Sequence, residues 1–233
     1  QRYGFMYLMA FWIVYFFNKI NKPVHFLVKY SILISLFFGI VLTFSRSTIV
    51  AFAVTSVIFI SQEVLSNKAS FLKKVRFSIY LTVSCLLIYL FIDSKAPYLI
   101  EFFDQRLFSI IFEKGIDGFD LSNPEGSEGY RLYMLEKIMS FVAINPFTGS
   151  GYLGVWIMFS DLAGSAHNQY TDVLFRTGII GFIIYMCFIL KILTHFYSID
   201  KGIFFGFLAV LVYGLFHETF KLSHGGFLFS FLL

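Results

Sequence analysis

At 233 residues, 58% of them hydrophobic and 14% charged, with a mean hydropathy of +0.78, the chain lies outside soluble usage. Soluble domains are about half apolar and about a quarter charged. The composition therefore describes a polytopic membrane protein, an all-α transmembrane bundle whose unit is the span of about 20 residues, and the net charge of +4 calls for no nucleic-acid partner.

Six apolar runs follow one another: Tyr3–Phe17, Phe26–Phe44, Thr48–Leu65, Phe77–Ile92, Gly178–Leu193 and Ile203–Phe216. A seventh begins at Phe227. Several are short for a full crossing, so interfacial Tyr, Trp and Lys are expected to extend them. Three regions result: transmembrane helices over 1–92, an outer loop region over 93–177, and further transmembrane helices over 178–233. Gln1 opens the chain without a methionine, and the last run is cut short, so a piece of a longer protein is expected. Cys85 and Cys187 both sit in apolar runs without a nearby second ligand and read as small buried hydrophobes.

Charge fixes the expected orientation. Lys19 and Lys22 occupy the first connection, Lys68, Lys73, Lys74 and Arg76 the third, and Lys191 and Lys201 the fifth. Alternate connections are thus basic, which assigns them to the cytoplasm. The interval from Asp93 to Thr177 holds 11 acidic and 6 basic residues, against 3 acidic and 12 basic in the remainder. That contrast sends the long loop to the outer face.

Within the loop, Tyr98–Glu113 places Leu99, Phe103, Leu107, Ile110 and Ile111 near one face of an amphipathic helix suited to a membrane surface. Gly115–Gly129, with Asn123-Pro124 and four glycines, predicts a mobile tip. Helical period returns over Tyr130–Ile144, with Leu132, Leu135, Ile138, Met139 and Val142 on one side, until Asn145-Pro146 stops it. The following Thr148-Gly149-Ser150-Gly151-Tyr152-Leu153-Gly154 is either a plain turn or a turn whose amides at Gly149 and Gly151 approach an oxyanion.

The chemistry-bearing residues gather at span ends. Arg46, between two apolar runs, either snorkels to headgroups or holds a phosphate in a bidentate fork. Arg131 opens the helix after the tip, with Glu128 as a surface partner. The stretch Ser165–Tyr185 runs from a polar cluster into an apolar segment. In it, His167 either merely precedes an Asn-capped helix start, or contacts headgroups, or supplies an imidazole suited to deprotonating a hydroxyl. Asn168 reads as a helix cap, Tyr170 and Arg176 as interfacial anchors, and Gly178 and Gly181 as places where another helix comes close. His217-Glu218 lacks the second histidine of a His-Glu-x-x-His zinc helix and reads as a helix-end pair, or else as a polar pair that supports or contacts substrate. Lys29 and Lys221 read as snorkelling ends. No calcium-loop spacing occurs over Asp117–Glu128, and neither metal nor cofactor is expected.

Three landmarks occur in one order: Ser45-Arg46-Ser47, Arg131 leading to Asn145-Pro146-Phe147-Thr148-Gly149-Ser150-Gly151, and Ala166-His167-Asn168-Gln169-Tyr170 followed by Gly178-Ile179-Ile180-Gly181. This order resembles the O-antigen ligase and O-antigen polymerase superfamily, bacterial membrane glycosyltransferases, over roughly Phe26–Phe216. The resemblance implies an inner-membrane enzyme with a large periplasmic loop. It implies transfer of glycan from an undecaprenyl-diphosphate carrier to a hydroxyl of another glycan, lipid A core or a protein. It further implies His167 as catalytic base and Arg46 and Arg131 on the diphosphate. Asn168, Arg176, Tyr170, Gly149 and Gly151 are the expected substrate-binding residues. The family has about ten or more helices where this chain has about six, which again fits a C-terminal portion. Two other classes stay open from the residues: a transporter or flippase for a lipid-linked or small polar substrate, and a membrane-anchored assembly or sensor protein. The transporter fits less well, because the polar residues sit in one outer loop and at span ends instead of in broken helices at mid-membrane.

Overall fold

A computed structural model describes residues 4–17, 26–43, 45–66, 127–151, 153–159 and 168–219. The side chains of Arg46 and Arg131 are not among what it describes. The fourth apolar run, the surface helix Tyr98–Glu113, residues 115–126 of the loop tip, the seventh run, Cys85 and His167 lie outside the described residues.

Among these residues the structure is helical, without strands. In chain order the helices are α1 (Gly4–Phe16), α2 (Phe26–Leu42), α3 (Arg46–Ser66), α4 (Ser127–Ile144), the single turn α5 (Val155–Met158), α6 (Gln169–Ile199) and α7 (Lys201–Tyr213). The first three agree with the expected runs to within about two residues. α4 starts three residues early, so Ser127–Gly129 are helical instead of loop. Among the described residues, α6 alone is long and apolar enough to cross a membrane. Gly4–Phe16, Val28–Leu42, Ser47–Gln62 and Lys201–Tyr213 are apolar but shorter, so a full six-span bundle does not follow from helix length.

The chain forms two compact units, one of residues 1–51 with 120–233, the other of residues 52–119. Of the second unit the described part is the body of α3, where Thr55 and Ser61 turn their hydroxyls back to the carbonyls of Phe52 and Val57. Such back-bonding satisfies a hydroxyl inside an apolar helix.

The first unit is built around α1, which packs on α2 and α7. Gly202 and Gly206 sit one turn apart on α7 and carry α1 across them. A Cβ at Gly206 would lie 3.1 Å from Met9 Cγ and 3.2 Å from the Met9 carbonyl oxygen, and one at Gly202 would lie 3.0 Å from the Trp12 carbonyl oxygen. Small residues four apart let two helix backbones approach in this way. Aromatic rings close the seam: Trp12 and Phe16 lie 5.1 and 5.8 Å from Phe205, the latter pair stacked. On the other side of α1, the Tyr7 ring lies over Gly39 of α2. Lys29 does not simply snorkel: it is buried, and its Nζ donates to the Tyr15 carbonyl at 2.7 Å. That carbonyl belongs to the last turn of α1, where no intrahelical donor remains and a cation is favoured.

α6 and α7 are separated by Asp200 alone. Its backbone N–H closes α6 onto the Phe196 carbonyl, and its carboxylate accepts from the N–H groups of Gly202 and Ile203 at 2.7 and 3.0 Å, capping α7. One residue thus ends one helix and starts the next. Ile189, Ile192 and Phe196 then meet Phe207 and Leu211 in an apolar cluster.

A second cluster joins α4 to α6 through Met134, Ile138, Val142, Val155 and Phe175. The buried stripe of α4 is rotated from the expected one. Ile138 and Val142 face inward as expected, but Met134 joins them, while Leu135 and Met139 are exposed. Met134, Leu135, Ile138, Met139, Phe141 and Val142 put apolar side chains on adjoining faces of this helix, so period alone could not choose between neighbouring stripes.

Candidate active site

α6 is broken at Gly178, whose φ of 64° and ψ of −170° are not helical. In an unbroken helix the Ile179 N–H would donate to the Phe175 carbonyl. Here both groups are satisfied by the turn after α4. Ile179 N–H donates to the Pro146 carbonyl at 2.7 Å, and the Phe175 carbonyl accepts from Ser150 N–H at 2.8 Å. The exchange requires two backbones to touch. Gly149, at φ 59°, packs on Phe175 and Gly178, and Gly178 packs on Phe147 and Thr148. A Cβ on either glycine would run into main-chain atoms of the other segment. The expected close approach at Gly178 is therefore real, but the visitor is the Asn145–Gly151 turn and not another helix. Gly181 faces Thr177 of its own helix.

The oxyanion reading of the turn divides between its glycines. Gly149 N–H already donates to the Asn145 carbonyl at 3.1 Å. Gly151, at φ 63°, is exposed, with nothing within 4 Å of where a Cβ would stand.

The break splits α6 into a polar segment, Gln169–Thr177, and the apolar Ile179–Ile199. Asn168 caps the polar segment, its Oδ1 accepting from Tyr170 N–H at 2.9 Å and Thr171 N–H at 3.3 Å. Arg176 donates through Nε to Asp172 Oδ2 at 2.8 Å, one turn away, and the aspartate is 7% exposed. The Tyr170 hydroxyl donates to the Leu211 carbonyl in the last turn of α7 at 2.8 Å. Beside it, Gln169 N–H donates to the Gly214 carbonyl at 2.9 Å. The start of α6 is thus bonded to the end of α7 through two terminal carbonyls that no helical donor reaches.

The same end of α7 meets the arginine corner. Arg46 is the first residue of α3. Ser45 ends the preceding turn, and its carbonyl accepts from the N–H groups of Thr48 and Ile49 at 3.0 and 3.1 Å. The Ser45 and Ser47 hydroxyls are hydrogen-bonded to each other at 2.8 Å, and Ser47 Oγ to His217 Nε2 at 2.9 Å. His217 stacks on Tyr213, ring centroids 4.6 Å apart. Ser45, Ser47, Thr48, Glu218 and Thr219 are all buried. His217 is therefore not merely one of a helix-end pair, since its partner is a serine 170 positions away in the sequence.

Leu211–Thr219 consequently ties together two parts of the expected site: the corner that begins with Arg46, and the helix start at Asn168, one peptide bond after His167. Arg131 lies in the first turns of α4, whose other end leads into the turn docked on Gly178. Among the described residues no three His, Cys, Asp or Glu side chains gather as metal ligands.

Among the described residues the structure is apolar and helical, with one helix of crossing length and with Arg176, Asp172 and His217 at or near helix ends. A family model described as O-antigen ligase matches residues 31–186, about two thirds of the 233-residue chain, and the chain belongs to that family. The match takes in Arg46, Arg131, His167 and the Gly178 break, and it stops before α7. No curated protein matches the chain significantly. Family membership makes this a bacterial membrane protein of polysaccharide synthesis, with glycan transfer as its chemistry and a lipid-linked glycan as its donor at the level the family defines.

Proposed function

We propose that the chain forms the outer-face part of a transferase that moves a glycan from an undecaprenyl-diphosphate carrier to an acceptor hydroxyl. The acceptor oxygen attacks the anomeric carbon, the bond from that carbon to the diphosphate oxygen breaks, and the configuration inverts. His167 takes the hydroxyl proton, a role worth about 10²–10⁴-fold in rate. Arg46 and Arg131 hold the diphosphate as its charge develops, which is where fixed cationic donors act most strongly. Asn168 holds the start of α6 and with it the position of His167. Arg176 is tied to Asp172 and Tyr170 to α7, so both serve the site by shaping its wall. Gly151 is the glycine of the turn with room for a ligand beside it.

The observation that carries this reading is the common anchorage at Leu211–Thr219. It brings the Arg46 end of α3 and the Asn168 end of α6 to one segment, although 122 positions separate Arg46 from Asn168 in the sequence. A deletion strain complemented with His167→Ala or Arg46→Ala full-length protein is expected to make no polymer-bearing product, at normal membrane levels of the protein. Wild-type banding of surface polysaccharide from both variants would remove the mechanism. The same gels separate the two family activities. Loss of long chains with one repeat still attached marks a polymerase, and complete loss with carrier-bound glycan accumulating marks a ligase.

A further inference from the structure

The segment that joins the site's parts contains an imidazole outside the matched family region. We propose that His217 is a positioning residue for the Arg46 turn. Its Nε2 fixes Ser47 Oγ at 2.9 Å, Ser47 Oγ fixes Ser45 Oγ at 2.8 Å, and these two serines flank Arg46. Both are buried, 3% and 8% exposed, so neither hydroxyl has bulk water as an alternative partner. The imidazole is itself held from its face by the Tyr213 ring. The first turn of α3 is thereby fastened on both sides of the arginine to the end of α7, which also receives Tyr170 and Gln169 from α6. A long guanidinium can meet a diphosphate at a reproducible distance only if its own backbone is held, and supporting hydrogen bonds behind a binding group do this. The inference rests on the diphosphate reading of Arg46.

The test is steady-state kinetics of full-length protein in proteoliposomes, with an undecaprenyl-diphosphate-linked oligosaccharide as the varied donor. His217→Phe keeps the stack on Tyr213 and removes the hydrogen bond, and Ser47→Ala removes its other half. Each is expected to raise the donor KM about fivefold, the effect of one hydrogen bond, with a smaller change in kcat. The double variant should match Ser47→Ala, because that variant already lacks the bond to His217. His217→Gln, which carries an amide nitrogen near the place of Nε2, should restore the donor KM. His217→Asn, whose amide mimics Nδ1, should not. A purely structural histidine would lower the amount of folded protein and leave the donor KM where it was. Unchanged donor KM in both single variants, or fully additive effects in the double, would overturn the proposal. If His217→Phe fails to accumulate, Ser47→Ala carries the same prediction, since alanine is well tolerated in a first helical turn. Arg46→Ala in parallel, its donor affinity read by direct binding because it is expected not to turn over, separates two failures. If it too binds donor as the wild type does, the diphosphate assignment falls. If it loses donor affinity while His217→Phe and Ser47→Ala keep the wild-type donor KM, the positioning role alone falls.

Discussion

Gly178 combines φ 64° with ψ −170°, a region that side chains other than glycine's hardly enter, at roughly 1–3 kcal/mol of strain. It also has main-chain atoms of Phe147 and Thr148 where a Cβ would go. Gly178→Ala should therefore undo the exchange of bonds between α6 and the Asn145–Gly151 turn. A thermal melt of detergent-solubilised protein should show a large fall. Gly151→Ala bears only the backbone strain of its φ of 63°, with open space around it, and should melt much closer to wild type. Asn168 poses a different question at the same scale, since its Oδ1 is already used by the cap. Asn168→Ala should cost about 1 kcal/mol of stability, and Asn168→Asp should recover both stability and transfer because aspartate caps as well. Transfer that stays lost in the aspartate variant at wild-type stability would make Asn168 a direct substrate contact. The cap was legible in the sequence, because Asn before a polar helix start is a local signal. The Ser47–His217 bond was not, because nothing local relates positions 170 apart.

At the scale of elements, the apolar runs foretold α1, α2, α3 and α7 well, since an apolar run bounded by polar residues is a local property. They foretold α6 less well. The polar residues from Gln169 to Thr177 are helical too, and a break takes the place of the expected start at Gly178. Beyond that break, Ile179–Ile199 rises roughly 30 Å at 1.5 Å per residue, which suits a hydrocarbon core. The stripe on α4 went astray because apolar side chains occupy adjoining faces of the helix. Gly202 and Gly206 were a readable signal that a search for hydrophobic period passes over, since the small residue marks the seam and the large ones do not. Gly206→Leu should abolish the α1–α7 approach and the accumulation of folded protein. Gly206→Ala, whose Cβ would meet Met9 at 3.1 Å or beyond, should be tolerated with a modest fall in melting temperature. Equal accumulation of the leucine variant, measured by fluorescence-detected size exclusion, would show that this seam does not hold the helices.

For the whole molecule, the charge asymmetry between residues 93–177 and the remainder is a statement about orientation that helix packing cannot make. With Cys85 and Cys187 replaced by alanine, a cysteine at the exposed Gly151 should react with a membrane-impermeant maleimide applied to spheroplasts. A cysteine at the exposed Ser198, beside the α6–α7 connection, should react only after lysis. The reverse pattern would turn the site to the cytoplasm and end the outer-face reading. The family was legible because it depends on short motifs in a fixed order, Arg46, Arg131 and His167-Asn168. What joins the Arg46 turn to the start of α6 was not legible, because the joining segment, Leu211–Thr219, follows the matched region and holds one through the distant His217–Ser47 bond and the other through main-chain carbonyls that any sequence would offer.

The most direct measurement is transfer by purified full-length protein from lipid-diphosphate-linked donor to acceptor, with donor binding followed separately. His167→Ala should lower kcat by about 10²–10⁴-fold with donor affinity kept. Arg46→Ala and Arg131→Ala should weaken donor binding itself. Wild-type turnover in His167→Ala, or unchanged donor affinity in both arginine variants, would contradict the account.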